Sequence, residues 1–512
     1  MDDKRRCSKC LLYHLPCNLG DNRSGQRTVP SFLQLSFHST EHILERIKLY
    51  LLPPECCQLI FDKLVRMHGL ALENLENFRK CYFPLIHLGG YPGVRDSWMN
   101  VIASQGESLI SLDISCSIVT DRGLVLLKDC FGLRNLALNY CYQISDRGLG
   151  FMSSLSQLRS LSIIKNKGIT AEGIEAITNL SNLENLNLER CSRIHGGLIH
   201  LRGLTKLKSL NIKYCNSVTD EDMEHLSGFT SLLQLNLNRC GLSDVGCQKL
   251  SALIQLKDLN LGYNGITNAC LMNLKGLINL ESLNLESCQI SSEGLLSIKG
   301  LTSLRTLELS ETRVEALSHL SGLRNLENLN LSCTSVNENS LTALSTLTSL
   351  KSLNLGHLVT SDEGLRFLSS FMNLQSLEIS DGFLNDAGTR SIKDLTSLKL
   401  LNLSYNFGIT DVTLGRISGI AIKIHSINYS SFLVSRCLFC SLILYFATSA
   451  GLTALCLLNL TYNTDITDAG LCHLTPLKNL RSLYLDFTKV TAGGLRRLQR
   501  DVLPNLVIFQ PC

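Results

Sequence analysis

Residues 207–231 read LKSLNIKYCNSVTDEDMEHLSGFTS, and residues 232–255 continue LLQLNLNRCGLSDVGCQKLSALIQ. The two stretches share one spelling. Leu207, Leu210 and Ile212 of the first stand where Leu232, Leu235 and Leu237 stand in the second. The spacing L-x-x-L-x-L contains an alternation, so its L-x-L core predicts a short strand with one apolar face. Cys215 and Cys240 each follow three residues after the last apolar position.

The same spacing extends in both directions. Its first position falls at 83, 109, 133, 158, 183, 207, 232, 256, 280, 304, 326, 350, 374, 398, 455, 480 and 506. The opening copy (Phe83, Ile86, Leu88) and the closing one (Leu506, Phe509) are weaker. After the strand comes Cys or Asn, as at Cys141, Asn166, Cys191, Asn264, Cys288, Asn406 and Asn463. A phrase of Ile/Val, Thr/Ser and Asp follows, as at Val119-Thr120-Asp121 and Ile466-Thr467-Asp468. Thr, Ser or Asp there caps a short helix such as the one expected over Gly123–Leu127. One repeat cannot bury its own apolar face, so stability must come from stacked neighbours. Leucine supplies 104 of the 512 residues, which excludes a mostly disordered chain.

This spelling resembles the leucine-rich repeat, in its cysteine-containing subclass, over about residues 83–512. The resemblance implies an α/β solenoid (horseshoe) of about sixteen repeats, with strands lining a concave face. The Cys/Asn column reads as packing, because Asn and Thr replace Cys in other repeats and no thiol chemistry is required. The 21 cysteines read as reduced, buried thiols, which argues for a reducing compartment. The net charge of +4 is too balanced to suggest a nucleic-acid binder, and none is expected.

Residues 1–51 have no repeat character and read as a flexible leader with no secretory signal. Cys7, Cys10, His14 and Cys17 could ligate zinc, but their spacing matches no zinc knuckle, and chance is the preferred reading. Residues 52–82 contain Leu52, Pro53, Glu55, Ile60, Phe61 and Leu64. Proline opens a helix and Glu suits its positive end. This pattern resembles the first half of an F-box; the second half is short and lacks the usual tryptophan. The resemblance implies docking of those six residues on a Skp-type adaptor of a cullin ubiquitin ligase, in cytoplasm or nucleus. The alternative is that the segment only caps the first repeat.

The step from Leu398 to Leu455 is 57 residues, which leaves 32 beyond one repeat of 25. Removing Gly419 through Ala450 joins Ile417-Ser418 to Gly451-Leu452-Thr453 and restores the spelling. The repeats therefore divide into 83–418 and 451–512 about a non-repeat stretch, 419–450. An insertion loop, a membrane segment and a translated intron are the candidates. The apolar run is short and holds Arg436, so no membrane span is expected. The whole-repeat register on either side favours the intron.

No catalytic pairing, cofactor motif or resident metal is legible, and the reading is non-enzymatic. Between the last two leucines of many repeats stands Asn, a monotonous column that reads as structural. The position just before the Cys/Asn turn varies more. There Tyr140, Lys165, Arg190, Tyr214, Arg239 and Tyr263 form an aromatic and basic stripe, with Lys213 beside it. Tyr and Arg are frequent interface anchors. The expectation is a protein partner with an acidic patch. Glu308, Glu311, Glu378 and Asp381, farther along, carry the opposite charge.

Overall fold

A computed structural model of the protein describes residues 49–358, 363–419 and 451–509. The four N-terminal zinc candidates, almost all of the expected leader and nearly all of the stretch 419–450 lie outside the described residues. The chain divides into two compact units, Met1–Leu207 and Lys208–Cys512.

In the first unit the repeats form strands β1 (Leu85–His87), β2 (Ser111–Asp113), β3 (Asn135–Ala137), β4 (Ser160–Ser162) and β5 (Asn185–Asn187). They pair in parallel and in chain order, with Ile86, Leu112, Leu136, Leu161 and Leu186 in one buried row. The weak opening copy thus forms a full strand. Its open edge is covered by helix α1 (Pro54–Arg66). The Gln58 amide donates to the Leu85 carbonyl (2.8 Å) and accepts from the Leu85 N–H. Phe61, Phe78 and Phe83 meet with ring centroids 5.2–5.7 Å apart and close the core at that end. An unpaired edge invites another chain, and α1 blunts it.

The second unit runs through β6 (Ser209–Asn211), β7 (Gln234–Asn236), β8 (Asp258–Asn260), β9 (Ser282–Asn284), β10 (Thr306–Glu308) and β11 (Asn328–Asn330). It continues with β12 (Ser352–Asn354), β13 (Ser376–Glu378), β14 (Leu400–Asn402), β15 (Leu457–Asn459), β16 (Ser482–Tyr484) and β17 (Val507–Phe509). These too pair in parallel and in order. The partial closing copy also makes a strand, preceded by the helix Ala492–Asp501.

The outer side of the repeats is built from short helical turns. The helix expected over Gly123–Leu127 is an α-turn, Asp121–Leu124, running into a 3-10 turn, Val125–Asp129. The Thr/Ser-Asp phrase does two jobs. Thr170 caps its own helix, accepting from the Glu172 N–H. Asp146 reaches one repeat forward, where Oδ1 accepts from the Thr170 N–H (2.7 Å) and Oδ2 from its hydroxyl (2.7 Å). Asp96, Asp121, Asp220, Asp244, Asp386, Asp411 and Asp468 repeat this bond. The same carboxylates explain the glycine of the phrase. A Cβ on Gly173 would overlap Asp146 Oδ1, as one on Gly148 would overlap Asp121.

The repeats flanking the non-repeat stretch stack directly. Leu401 of β14 is in register with Leu458 of β15. Asp411 Oδ1 accepts from the Thr467 N–H (2.9 Å), and the Leu452 N–H donates to the Ile417 carbonyl (2.8 Å). A Cβ on Gly451 would lie 2.6 Å from the Gly419 nitrogen, so the two ends of the stretch meet.

One cysteine pair departs from the reduced-thiol expectation. Cys247 and Cys270 are joined as a disulfide. They lie in consecutive repeats one position out of step, Cys270 at the place of Gly246 and Cys247 at the place of Leu271, with their Cα atoms 5.4 Å apart, within bonding reach.

Candidate functional site

The Asn column is a set of turn formers. Asn187 Oδ1 accepts from the Glu189 N–H (3.0 Å), Asn211 from Lys213 (3.0 Å) and Asn260 from Gly262 (3.0 Å). Asn284, Asn330, Asn354, Asn402 and Asn459 do the same. A side chain that bonds backbone two residues on fixes the exit from the strand.

The residue after each such turn is the variable column, and its backbone is left-handed. From Cys116 to Phe487 the φ values along it lie between 51° and 61°. A side chain with Cβ is disfavoured there by roughly 1–2 kcal/mol, and Gly or Asn is the usual occupant. This column instead holds Tyr, Lys, Arg, Glu, Asp, His and Phe, with Ser287, Cys116 and Cys333 as its smaller members. Its N–H groups prolong the ladder, as when Tyr140 donates to the Ile164 carbonyl (2.8 Å) and Tyr263 to that of Glu286 (2.7 Å).

The expected partner-binding residues all lie at this turn, at the strand ends. In the first unit these are Tyr140, Lys165 and Arg190, and Lys165 Nζ stands 5.6 Å from the Tyr140 ring. In the second unit, Lys213 Nζ lies 5.3 Å from the Tyr214 ring. The Arg239 guanidinium sits between two rings, 5.4 Å from Tyr214 and 4.2 Å from Tyr263. The Tyr263 phenol donates to Glu286 (2.8 Å); that bond, then partial burial, raises its pKa.

Toward the end of the second unit the column becomes aromatic. Tyr405, Tyr462 and Phe487 stack with centroids 4.3 and 4.2 Å apart and planes within 20°. Phe383 and Phe407, two residues past the column, are exposed beside it. Tyr405 and Tyr462 stand in the variable column by sequence, and Phe487 is found by following that column to its last repeat, whereas the stacking shows only in the structure.

The six adaptor candidates divide by burial. Phe61 and Leu64 point into the core, Leu52 and Ile60 are half-buried, and Pro53 and Glu55 are exposed. Leu59 and Met67 add exposed apolar surface on and just beyond α1.

The Cys column packs, and it also bonds. Cys191 Sγ donates to the Ile163 carbonyl (3.1 Å) and Cys240 Sγ to that of Ile212 (3.1 Å). Asn166 and Asn264 give the same carbonyl bond to the preceding repeat from Nδ2. Burial pushes the Cys191 thiol up to about 11 and Cys240 to about 12, which leaves little thiolate at neutral pH. Among the described residues, no group of three or more His, Cys, Asp or Glu is placed to hold a metal, and no helix is long and apolar enough to cross a membrane.

A family profile described as a leucine-rich repeat region matches residues 111–383. No curated protein sequence matches the chain. Among solved structures, the chain is similar to a leucine-rich repeat protein of Leptospira interrogans: 20% identity, 75% of this chain and 91% of that one, TM-score 0.49. It is also similar to an internalin of Listeria monocytogenes: 22% identity, 80% and 88% coverage, TM-score 0.40.

Proposed function

The chain belongs to the leucine-rich repeat family, and from that premise we propose that it is a non-enzymatic scaffold that binds a protein partner through the turn column. The partner carries an acidic patch that meets Tyr140, Lys165 and Arg190 in the first unit, or Lys213, Tyr214, Arg239 and Tyr263 in the second. One observation carries this reading: large aromatic and cationic side chains occupy left-handed positions that Asn or Gly would fill at lower energy. Local strain of this kind concentrates at functional sites. Substitution of Arg190, Tyr214 and Arg239 by Asn removes the contacts while suiting the backbone. Affinity purification of the full chain with quantitative mass spectrometry tests it. The dominant partner should be lost from the triple variant; its retention would count against the reading.

The finer reading places the protein in a Skp–cullin ubiquitin ligase, as its substrate receptor in cytoplasm or nucleus. The exposed start of α1, with Pro53, Glu55, Leu59 and half-buried Leu52 and Ile60, supports it. Burial of Phe61 and Leu64 removes two of the six docking residues and leaves them to the cap. Co-purification of adaptor and cullin with the full chain, lost on Leu52→Ser with Ile60→Ser, would support the ligase role. A folded chain that brings down neither would leave α1 as a cap alone.

A further inference from the structure

The aromatic stack at the end of the second unit is separate from the stripe described above. Its rings are not core. Phe487 is 61% exposed, Tyr405 43%, and neighbouring Phe383 and Phe407 are 74% and 57% exposed. Exposed apolar surface gathered in one place marks an interaction site more often than a solvated face. The three stacked rings also hold left-handed backbone positions, φ 58–61°, where aromatic side chains are disfavoured.

The surroundings say what this surface accepts. The column residue one repeat before Tyr405 is Asp381, whose N–H donates to the Ser404 carbonyl (3.1 Å). Glu378 lies on β13 in register with Asn402 of β14. Asp486 precedes Phe487, and its Oδ1 is buried without a hydrogen-bond partner among the described residues. Farther back along the column stands Glu311, exposed. The Tyr405 end of the stack is therefore flanked by the repeat that carries Asp381 and Glu378, and the Phe487 end by Asp486. Asp381 Oδ2 is held by His357 Nδ1 (2.9 Å), which leaves Oδ1 for a second donor. The molecule itself shows how a cation fits this column. Arg239 lies over Tyr214 and Tyr263 from the position between them.

We propose that Tyr405, Tyr462 and Phe487, with Asp381 beside them, bind an arginine-bearing segment of a partner protein. The guanidinium stacks on the Tyr405 face and donates to Asp381, while apolar groups of the segment lie along the ring edges and on Phe383 and Phe407. Cation–π contact and a carboxylate together select a planar cation. The acidic flank disfavours phosphate, so a nucleic acid is the poorer occupant.

The test is fluorescence anisotropy of the full chain with short labelled Gly/Ser peptides carrying spaced arginines. Matched peptides replace Arg by citrulline, which keeps the shape and removes the charge, or by Leu or Glu. Tyr405→Asn and Asp381→Asn are the variants of choice, because Asn suits a left-handed backbone and the fold is kept; thermal unfolding confirms it. The arginine peptide should bind, and citrulline or either variant should weaken it by about fivefold or more. Arg190→Asn with Arg239→Asn should leave it unchanged, which separates this site from the stripe. Equal binding of the arginine and citrulline peptides, preference for the Leu or Glu peptide, no binding at all, or indifference to both variants would each overturn the proposal.

Discussion

The carboxylate that links one repeat to the next and the glycine it touches should behave as one unit. Asp146 accepts from the N–H and the hydroxyl of Thr170, both at 2.7 Å in a half-buried setting. Hydrogen bonds to a charged acceptor contribute about 1.5–3 kcal/mol each, and partial exposure puts these near the low end. Asp146 also sits in the first turn of its own helix, worth about 0.3–1 kcal/mol. Asp146→Ala should therefore cost about 3 kcal/mol. Gly173→Ala introduces a Cβ that overlaps Asp146 Oδ1 and lies 3.1 Å from its Cγ, an overpacking cost of about 1–3 kcal/mol. In the Asp146→Ala background that oxygen is gone, and the nearest remaining atom is Leu149 Cδ1 at 3.2 Å. Ala is also the better helix former by about 1 kcal/mol. The second substitution should then be neutral or stabilising, giving a coupling of about 2 kcal/mol. Urea unfolding of the four chains measures it, and hydrogen exchange over residues 163–180 locates it. Additivity within about 0.5 kcal/mol would refute the bond as described.

Three further outcomes follow from the same geometry. Asn406 Nδ2 donates to the Ile379 (2.6 Å) and Leu403 (3.1 Å) carbonyls while Oδ1 accepts from the Gly382 and Leu384 N–H groups, so Asn406→Ala should cost about 3–5 kcal/mol in urea unfolding, and Asn406→Cys, keeping one carbonyl bond as Cys240 does, should cost less. Burial raises the Cys130, Cys191 and Cys288 thiols from 9.0 to about 11 and Cys240 to about 12. The unfolded chain then binds fewer protons above pH 9.0, so stability should be level below that pH and fall as pH rises toward 11–12; a flat profile there would show these thiols exposed. Deleting residues 420–450 should leave the circular dichroism spectrum and the melting midpoint close to those of the full chain, because β14 and β15 already pair and Asp411 already reaches Thr467; unfolding on deletion would mean that the stretch holds the repeats together.

Much of this fold is legible in the leucines. A position with one permitted chemistry in every repeat, such as Leu112, Leu136 and Leu161, announces a shared buried row. The Asp phrase was legible as a helix signal but not as a link, because a capping carboxylate and one bonded to the next repeat are spelled alike until the stacking is known. The disulfide was hidden for the same reason, since Cys247 and Cys270 become neighbours only through the repeat spacing. The site column was visible as variation, yet its left-handed backbone was not. Gly and Asn normally advertise such a turn, and Tyr214, Arg239 and Tyr405 conceal it. The stack of Tyr405, Tyr462 and Phe487 needs the pairing of β14 with β15 across the 57-residue step, which the spacing alone suggested but could not place in space.

In the proposed function, partners meet the turn column and not the helical side. A photocrosslinking amino acid placed at Tyr214, on the column, or at Ser227, on the outer turn Glu224–Gly228 of the same repeat, addresses this in cells. Position 214 should capture a defined protein and position 227 should not. Capture of that protein from 227 alone, or equally from both, would contradict the account.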